Sequence, residues 1–234
     1  MKIVRCEALS RTYRQGSIEV RALDGVSFAV ELGEFTSIAG PSGSGKSTLL
    51  NLIGALDQPT AGDLWVADQR INDLDKAQLA DLRLQKIGFV FQSYNLVPVL
   101  SARENVEFIL QLQGVSASRR REKAQAMMQR VGLGDMSNRR PHELSGGQQQ
   151  RVAIARALAS QPDLLLADEP SANLDSVTTA ELMQLLSELN KTLGTTILMV
   201  THDPEVISYA QRQIHMRDGK IVRDENSPTD AHVA

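Results

Sequence analysis

Short apolar runs alternate along this chain with longer amphipathic stretches. Val26, Phe28 and Val30 interleave with Ser27, Ala29 and Glu31, the period of a half-buried strand, within a β-rich segment covering 2–39. Asp24-Gly25 places a turn signal inside that segment. Phe35-Thr36-Ser37-Ile38-Ala39 predicts a strand, and Thr48 to Ile53 predicts a helix. A turn at Pro59 to Asp63 leads into a returning strand, Leu64 to Ala67, and Ile87 to Phe91 forms a short apolar strand ending at Gln92. Ala102 to Arg130 is helical with a break near Gly114, and Gly147 to Ala159 is helical again. Leu164-Leu165-Leu166-Ala167 is apolar without interruption, as a parallel strand buried on both faces requires. A helix near Val177 to Leu193, a strand at Thr196 to Val200 and a β-like end at Gln213 to Val222 follow. This order predicts an α/β fold, a mainly parallel sheet with a helical insert at roughly 93–160. One domain is expected over 1–224, with a polar, disordered tail at 225–234.

Composition narrows the function. A chain of 234 residues, 42% hydrophobic and 23% charged, has the length and balance for a substantial core. A net charge of −3 gives no broad basic footprint, so no nucleic-acid partner is expected. The single cysteine, Cys6, excludes an internal disulfide and an all-cysteine metal site, and is expected as a buried strand residue. Trp65, Met127 and Met128 read as packing residues, and Arg119-Arg120-Arg121 as a solvated face. The charged N-terminus lacks the apolar stretch of a signal peptide, and no 18-residue window is apolar enough to span a bilayer. The expectation is a soluble chain whose membrane role, if it has one, comes through partners.

Chemistry concentrates first in Gly40-Pro41-Ser42-Gly43-Ser44-Gly45-Lys46-Ser47, which fills G-x-x-x-x-G-K-[ST] at every fixed position. The glycines let backbone N–H groups turn toward phosphate oxygens, Lys46 brings positive charge and Ser47 a hydroxyl for Mg²⁺. With a strand before and a helix, opening at Thr48, after, the phosphates meet a helix N-terminus. Asp168 and Glu169 close the buried apolar strand, where open parallel sheets bind ligands. Asp168 is the candidate to hold Mg²⁺ beside Ser47, and Glu169 the candidate to orient or deprotonate the attacking water. Ser145, Gly146, Gly147 and Gln148 start another helix with a hydroxyl and two glycines, a second anion cradle. A chain with one complete phosphate site and a second cradle fits two copies, each closing over the other's nucleotide.

These motifs, in this order, resemble an ABC-type ATPase, the nucleotide-binding component of ATP-binding-cassette transporters, over roughly residues 2–224. The resemblance makes Gly40 to Ser47 the Walker A loop, Gln92 the Q-loop, Leu144 to Gln148 the family signature, and Leu164 to Asp168 Walker B with Glu169 as catalytic glutamate. Ser171 to Asp175 resembles the D-loop, His202 the switch histidine, and Tyr13 the aromatic that stacks on adenine. It implies a RecA-like P-loop NTPase core, an N-terminal antiparallel β subdomain and an inserted α-helical subdomain. It implies roles as well: Gln92 senses Mg²⁺ and the attacking water, His202 contacts the γ-phosphate, and Asp175 communicates across a dimer. Ala172 stands where family members often carry glycine. His142, His215 and His232 match no motif and read as structural.

The Phe89 to Pro98 segment, the Leu56 to Thr60 turn and Ala167-Asp168-Glu169-Pro170 resemble the bacterial macrolide-export, lipoprotein-release and cell-division branch. That branch implies ATP and Mg²⁺ as ligands, an ATP-dependent homodimer, a separate integral membrane permease, and a peripheral position on the cytoplasmic face. The competing class is a soluble ABC ATPase of DNA repair, chromosome organisation or translation. Such proteins carry long coiled coils or two cassettes, and this chain has neither a sustained heptad run nor a second phosphate loop.

Overall fold

The early apolar alternation becomes two long antiparallel strands, β1 (Lys2–Gln15) and β2 (Ile18–Glu31), in a computed structural model that describes residues 1–16 and 18–226. Val26, Phe28 and Val30 face inward as the pattern predicts. Asp24-Gly25, however, does not turn the chain. The pairing passes from Leu9↔Val26 to Arg11↔Leu23, which leaves one extra residue on β2 and makes a bulge. Gly25 adopts φ +68° there and donates its N–H to Ser10 Oγ.

The chain then forms β3 (Phe35–Ala39), α1 (Lys46–Ile53), β4 (Ala61–Val66), β5 (Gln69–Arg70), α2 (Lys76–Lys86) and β6 (Ile87–Phe91). The helical insert contains α3 (Ala102–Leu112), α4 (Ala117–Arg130) and α5 (Gly146–Ala159). Last come β7 (Leu164–Asp168), α6 (Ser176–Leu193), β8 (Thr196–Thr201), α7 (Pro204–Ile207), β9 (Arg212–Arg217) and β10 (Lys220–Asn226). Pattern reading missed α2, although Asp75 and Gln78 form a reciprocal capping box at its start. The end of the domain also needs correction. Asp224, Glu225 and Asn226 belong to β10, paired with β9 and anchored by a bidentate Arg212–Asp224 contact at 2.7 Å. The rest of the expected tail, 227–234, including His232, lies outside the described residues.

A four-stranded antiparallel sheet runs β2-β1-β4-β5, and a six-stranded sheet runs β10-β9-β3-β8-β7-β6. The second is parallel except for β10. β7 shows why its sequence is uniformly apolar. Leu164 and Leu166 enter the core shared with the antiparallel sheet and α1, whereas Leu165 and Ala167 enter the core shared with α3, α5 and α6. Cys6 is buried in the first core, and burial raises its thiol pKa. Met127 and Met128 are buried in the second. Arg120 is less solvated than its run suggests, because its guanidinium reaches Glu107 of α3, which also pairs with Arg103.

β3 is held by segments far along the chain. Its two neighbours are β8 and β9, and Phe35 exchanges hydrogen bonds with Gln211, 176 residues away.

Candidate active site

β3 delivers the chain into the phosphate loop, and the loop is gripped from both sides. At Gly40 an added Cβ would stand 2.3 Å from the Met216 carbonyl oxygen; at Gly45 it would stand 2.4 Å from that of Ala22. Only glycine lets the loop approach β9 and β2 so closely. α1 begins at Lys46 with Gly45 as its N-cap, φ +99°, and no side chain satisfies the first amides. Those N–H groups are free to meet an anion. The buried Lys46 ammonium donates to the carbonyls of Gly40 at 2.7 Å and Pro41 at 2.9 Å, leaving one of its three N–H groups.

A cleft of about 1030 Å³ opens over the loop, lined by Gly40, Pro41, Ser42, Gly43, Gly45, Lys46, Ser47, Thr48, Gln92, Glu169 and His202 among others. Residues spread over the sequence therefore converge on one cleft. Ser44 is the exception within the loop. Its side chain is buried away from the cleft with an unpartnered Oγ, and its carbonyl accepts the Gly219 N–H.

Ser47 Oγ donates to Asp168 Oδ1 at 3.5 Å. A hydroxyl and a carboxylate at one spot are the hard oxygen ligands that suit a small divalent cation. Burial first, and the adjoining Glu169 charge second, hold the Asp168 carboxyl above the usual carboxylate range, which a bound cation would reverse. Glu169 leaves the strand in a left-handed conformation, φ +47°, fixed by its N–H donating to Val200 O. That turn brings Glu169 Oε1 to 2.7 Å from His202 Nδ1.

The second cradle stands apart. Ser145 caps α5 reciprocally: its Oγ accepts from Gln148 N–H at 3.3 Å, and the Gln148 side chain accepts from Ser145 N–H at 2.9 Å. None of Ser145, Gly146, Gly147 and Gln148 lines the cleft over the chain's own phosphate loop. Gly147 packs on the first turn of α6, where a Cβ would meet Thr178 Cγ2 at 2.4 Å. Asp175 caps that helix, accepting from Thr178 N–H at 3.0 Å and Thr178 Oγ1 at 2.7 Å, and those bonds lower its pKa. Thr178 thus lies between Asp175 and Gly147 within one chain.

Tyr13 is not in the cleft lining. Its hydroxyl donates to Asp57 at 2.9 Å, and the Arg11 guanidinium lies 4.7 Å from its ring centre. Its backbone partner Val20 does line the cleft. Trp65 packs as expected, beneath the Arg5 guanidinium. Sequence reading missed Arg21, Ala22, His215, Asp218 and Gly219, all in the lining. The Asp218-Gly219 turn signal was visible, but nothing in the sequence tied it to the phosphate loop.

The ABC transporter family profile matches residues 23–172. The chain belongs to that family. This cassette is 46% identical over 227 residues to an uncharacterized ABC transporter ATP-binding protein of Methanocaldococcus jannaschii, covering 95% of this chain and 97% of that protein. It is 49% identical over 222 residues to the macrolide export ATP-binding/permease protein MacB of Hyphomonas neptunium, covering 95% of this chain. The cassette spans only 34% of that MacB relative. A solved dimeric cassette, MJ0796, in a post-hydrolysis state bound to ADP and Pi, superposes with a TM-score of 0.89 at 45% identity, covering 97% of this chain and all of that one. Among the described residues no helix is long and apolar enough to cross a membrane.

Proposed function

We propose that this cassette hydrolyses MgATP as a head-to-tail homodimer and drives a separate integral membrane subunit of the macrolide-export or lipoprotein-release type, sitting peripherally on the cytoplasmic face. The observation that carries the reading is the Glu169–His202 pair at the lip of a phosphate-loop cleft that lacks the signature residues. A cleft with its own phosphate grip and its own candidate base, but without the second cradle, is half of a site. The dimeric form of its ADP- and Pi-bound relative supports completion of that half by another copy.

Each residue then has a task. Lys46 and the amides starting α1 bind the β- and γ-phosphates and offset charge on the transferred phosphoryl group. Ser47 and Asp168 would hold Mg²⁺, which when bound neutralises phosphate charge. Glu169 accepts a proton from the attacking water, and His202, held beside it by the Nδ1–Oε1 contact, reaches the γ-phosphate from the same side of the cleft. Gln92 reaches the same cleft from the end of β6. Ser145, with the amides of Gly146 and Gly147, closes over the nucleotide of the opposing copy. Its long bond from Gln148 leaves the hydroxyl proton free to donate.

Glu169→Gln tests the reading. The variant should lose turnover by about 10²-fold or more while still binding MgATP, and light scattering should detect a dimer only when MgATP is present. Normal turnover with no ATP-dependent dimer would overturn it.

A further inference from the structure

The segment after Gln92 holds two successive non-glycine residues in the left-handed region, Tyr94 at φ +50° and Asn95 at φ +51°. Such backbone persists only where its surroundings impose it. Here the surroundings are α5, the helix that starts at the signature. Arg156 donates Nη2–H to Tyr94 O at 3.0 Å and Nη1–H to Asn95 O at 2.5 Å. Its guanidinium has no carboxylate partner among the described residues, and burial lowers its pKa from the ordinary arginine value. Earlier on α5, the fully buried Gln150 donates to Phe91 O at 3.4 Å and to Pro170 O at 2.6 Å. At the head of α5, the Tyr94 hydroxyl sits where a Cβ on Gly146 would come within 2.8 Å of it.

We propose that Arg156 and Tyr94 form a latch coupling the nucleotide cleft sensed by Gln92 to the pose of the signature at Ser145 to Gly147. This rests on the shared-site reading above and adds positioning residues to it. The fork of Arg156 matches two consecutive carbonyls only while both residues stay left-handed. Moving either to the extended region swings a carbonyl off the guanidinium. On this proposal the segment switches between two discrete arrangements, of which the structure shows the latched one, and a bound nucleotide biases them through Gln92. Tyr94 carries the same change to Gly146, at the cradle meant for the other copy's phosphates. Occupancy of one cleft thereby tunes how the chain grips its partner's nucleotide.

Two measurements test this. In a Glu169→Gln background, Arg156→Gln should leave the affinity of the monomer for a fluorescent ATP analogue within about twofold, yet raise the MgATP needed for half-maximal dimerisation by about tenfold. Arg156→Lys should shift the same way, because a single ammonium cannot serve both carbonyls in fixed geometry. A merely structural role would lower analogue affinity along with dimerisation, and that result, or unchanged dimerisation, overturns the latch. The second measurement uses the unsubstituted chain at monomeric concentration. Hydrogen exchange over 92–96 and 145–148 should change at one common MgATP midpoint; a change at the first segment without the second overturns the latch. Failure of the Glu169→Gln parent to dimerise counts against the shared site instead, and the exchange titration then decides the latch alone. It decides likewise if Arg156→Gln does not fold.

Discussion

Two helices of this cassette begin on glycines, and they begin in opposite ways. α1 has Gly45 as its N-cap, with no side chain over its first amides and a lysine ammonium already drawn against the loop carbonyls. α5 has Ser145, whose hydroxyl and partner Gln148 satisfy each other before any ligand arrives. The first start is an open anion cradle built from one chain's own loop. The second is a capped helix end with a spare hydroxyl proton, and it does not line the chain's own cleft. Similar composition therefore suits the two different jobs proposed above: one terminus to hold the nucleotide, and the other to meet one held by a second copy. What separates them is the cap residue and whether the terminus lines the cleft.

The contrast can be broken at three points. Lys46→Ala has the largest expected effect, a loss of turnover of about 10²-fold or more, because it removes the only ammonium in the loop. Steady-state phosphate release checks it, and unchanged turnover would dismiss the cleft as the reaction site. Ser145→Ala should be milder for stability, costing about 1 kcal/mol in urea unfolding as a lost cap. It should also raise the MgATP needed for dimerisation. An equal loss of MgATP affinity in isolated monomers would place Ser145 in the same cleft as Lys46 and erase the distinction. Ser44→Ala should be nearly silent. Its Oγ is buried without a partner, so its removal should change unfolding free energy by less than about 0.5 kcal/mol, or stabilise slightly. A clearly larger cost would mean that this hydroxyl, too, serves the loop.

The sequence carried the site better than it carried the frame around it. Gly40 to Ser47, Asp168, Glu169 and the Ser145 terminus were legible because each motif needs fixed residue types at fixed short spacings. The buried strand of β7 was equally plain, since both of its faces are covered. Asp24-Gly25 misled because turn chemistry and bulge chemistry use the same residues, and only pairing with β1 distinguishes them. The extension of β10 to Asn226 was hidden for a related reason: its polar residues are ordered by Arg212 on another strand. Tyr13 matched a family position, while its ring and hydroxyl are engaged by Arg11 and Asp57. The latch residues gave no local signal at all, because Arg156 and Tyr94 meet only after the insert has folded onto β6.

The place of β3 in the sheet has a consequence for how the protein is made. Both strands that flank it are translated long after it, and its partner Gln211 lies 176 residues downstream. At ribosomal rates of about 5–20 residues per second, that separation amounts to roughly 10–35 s of synthesis. Throughout most of that interval the Gly40 to Ser47 segment has β2 beside it but neither of the strands that flank β3. A transcript cut short before Arg212 would therefore encode the whole phosphate-binding motif and β8, yet lack the β9 carbonyl that packs on Gly40.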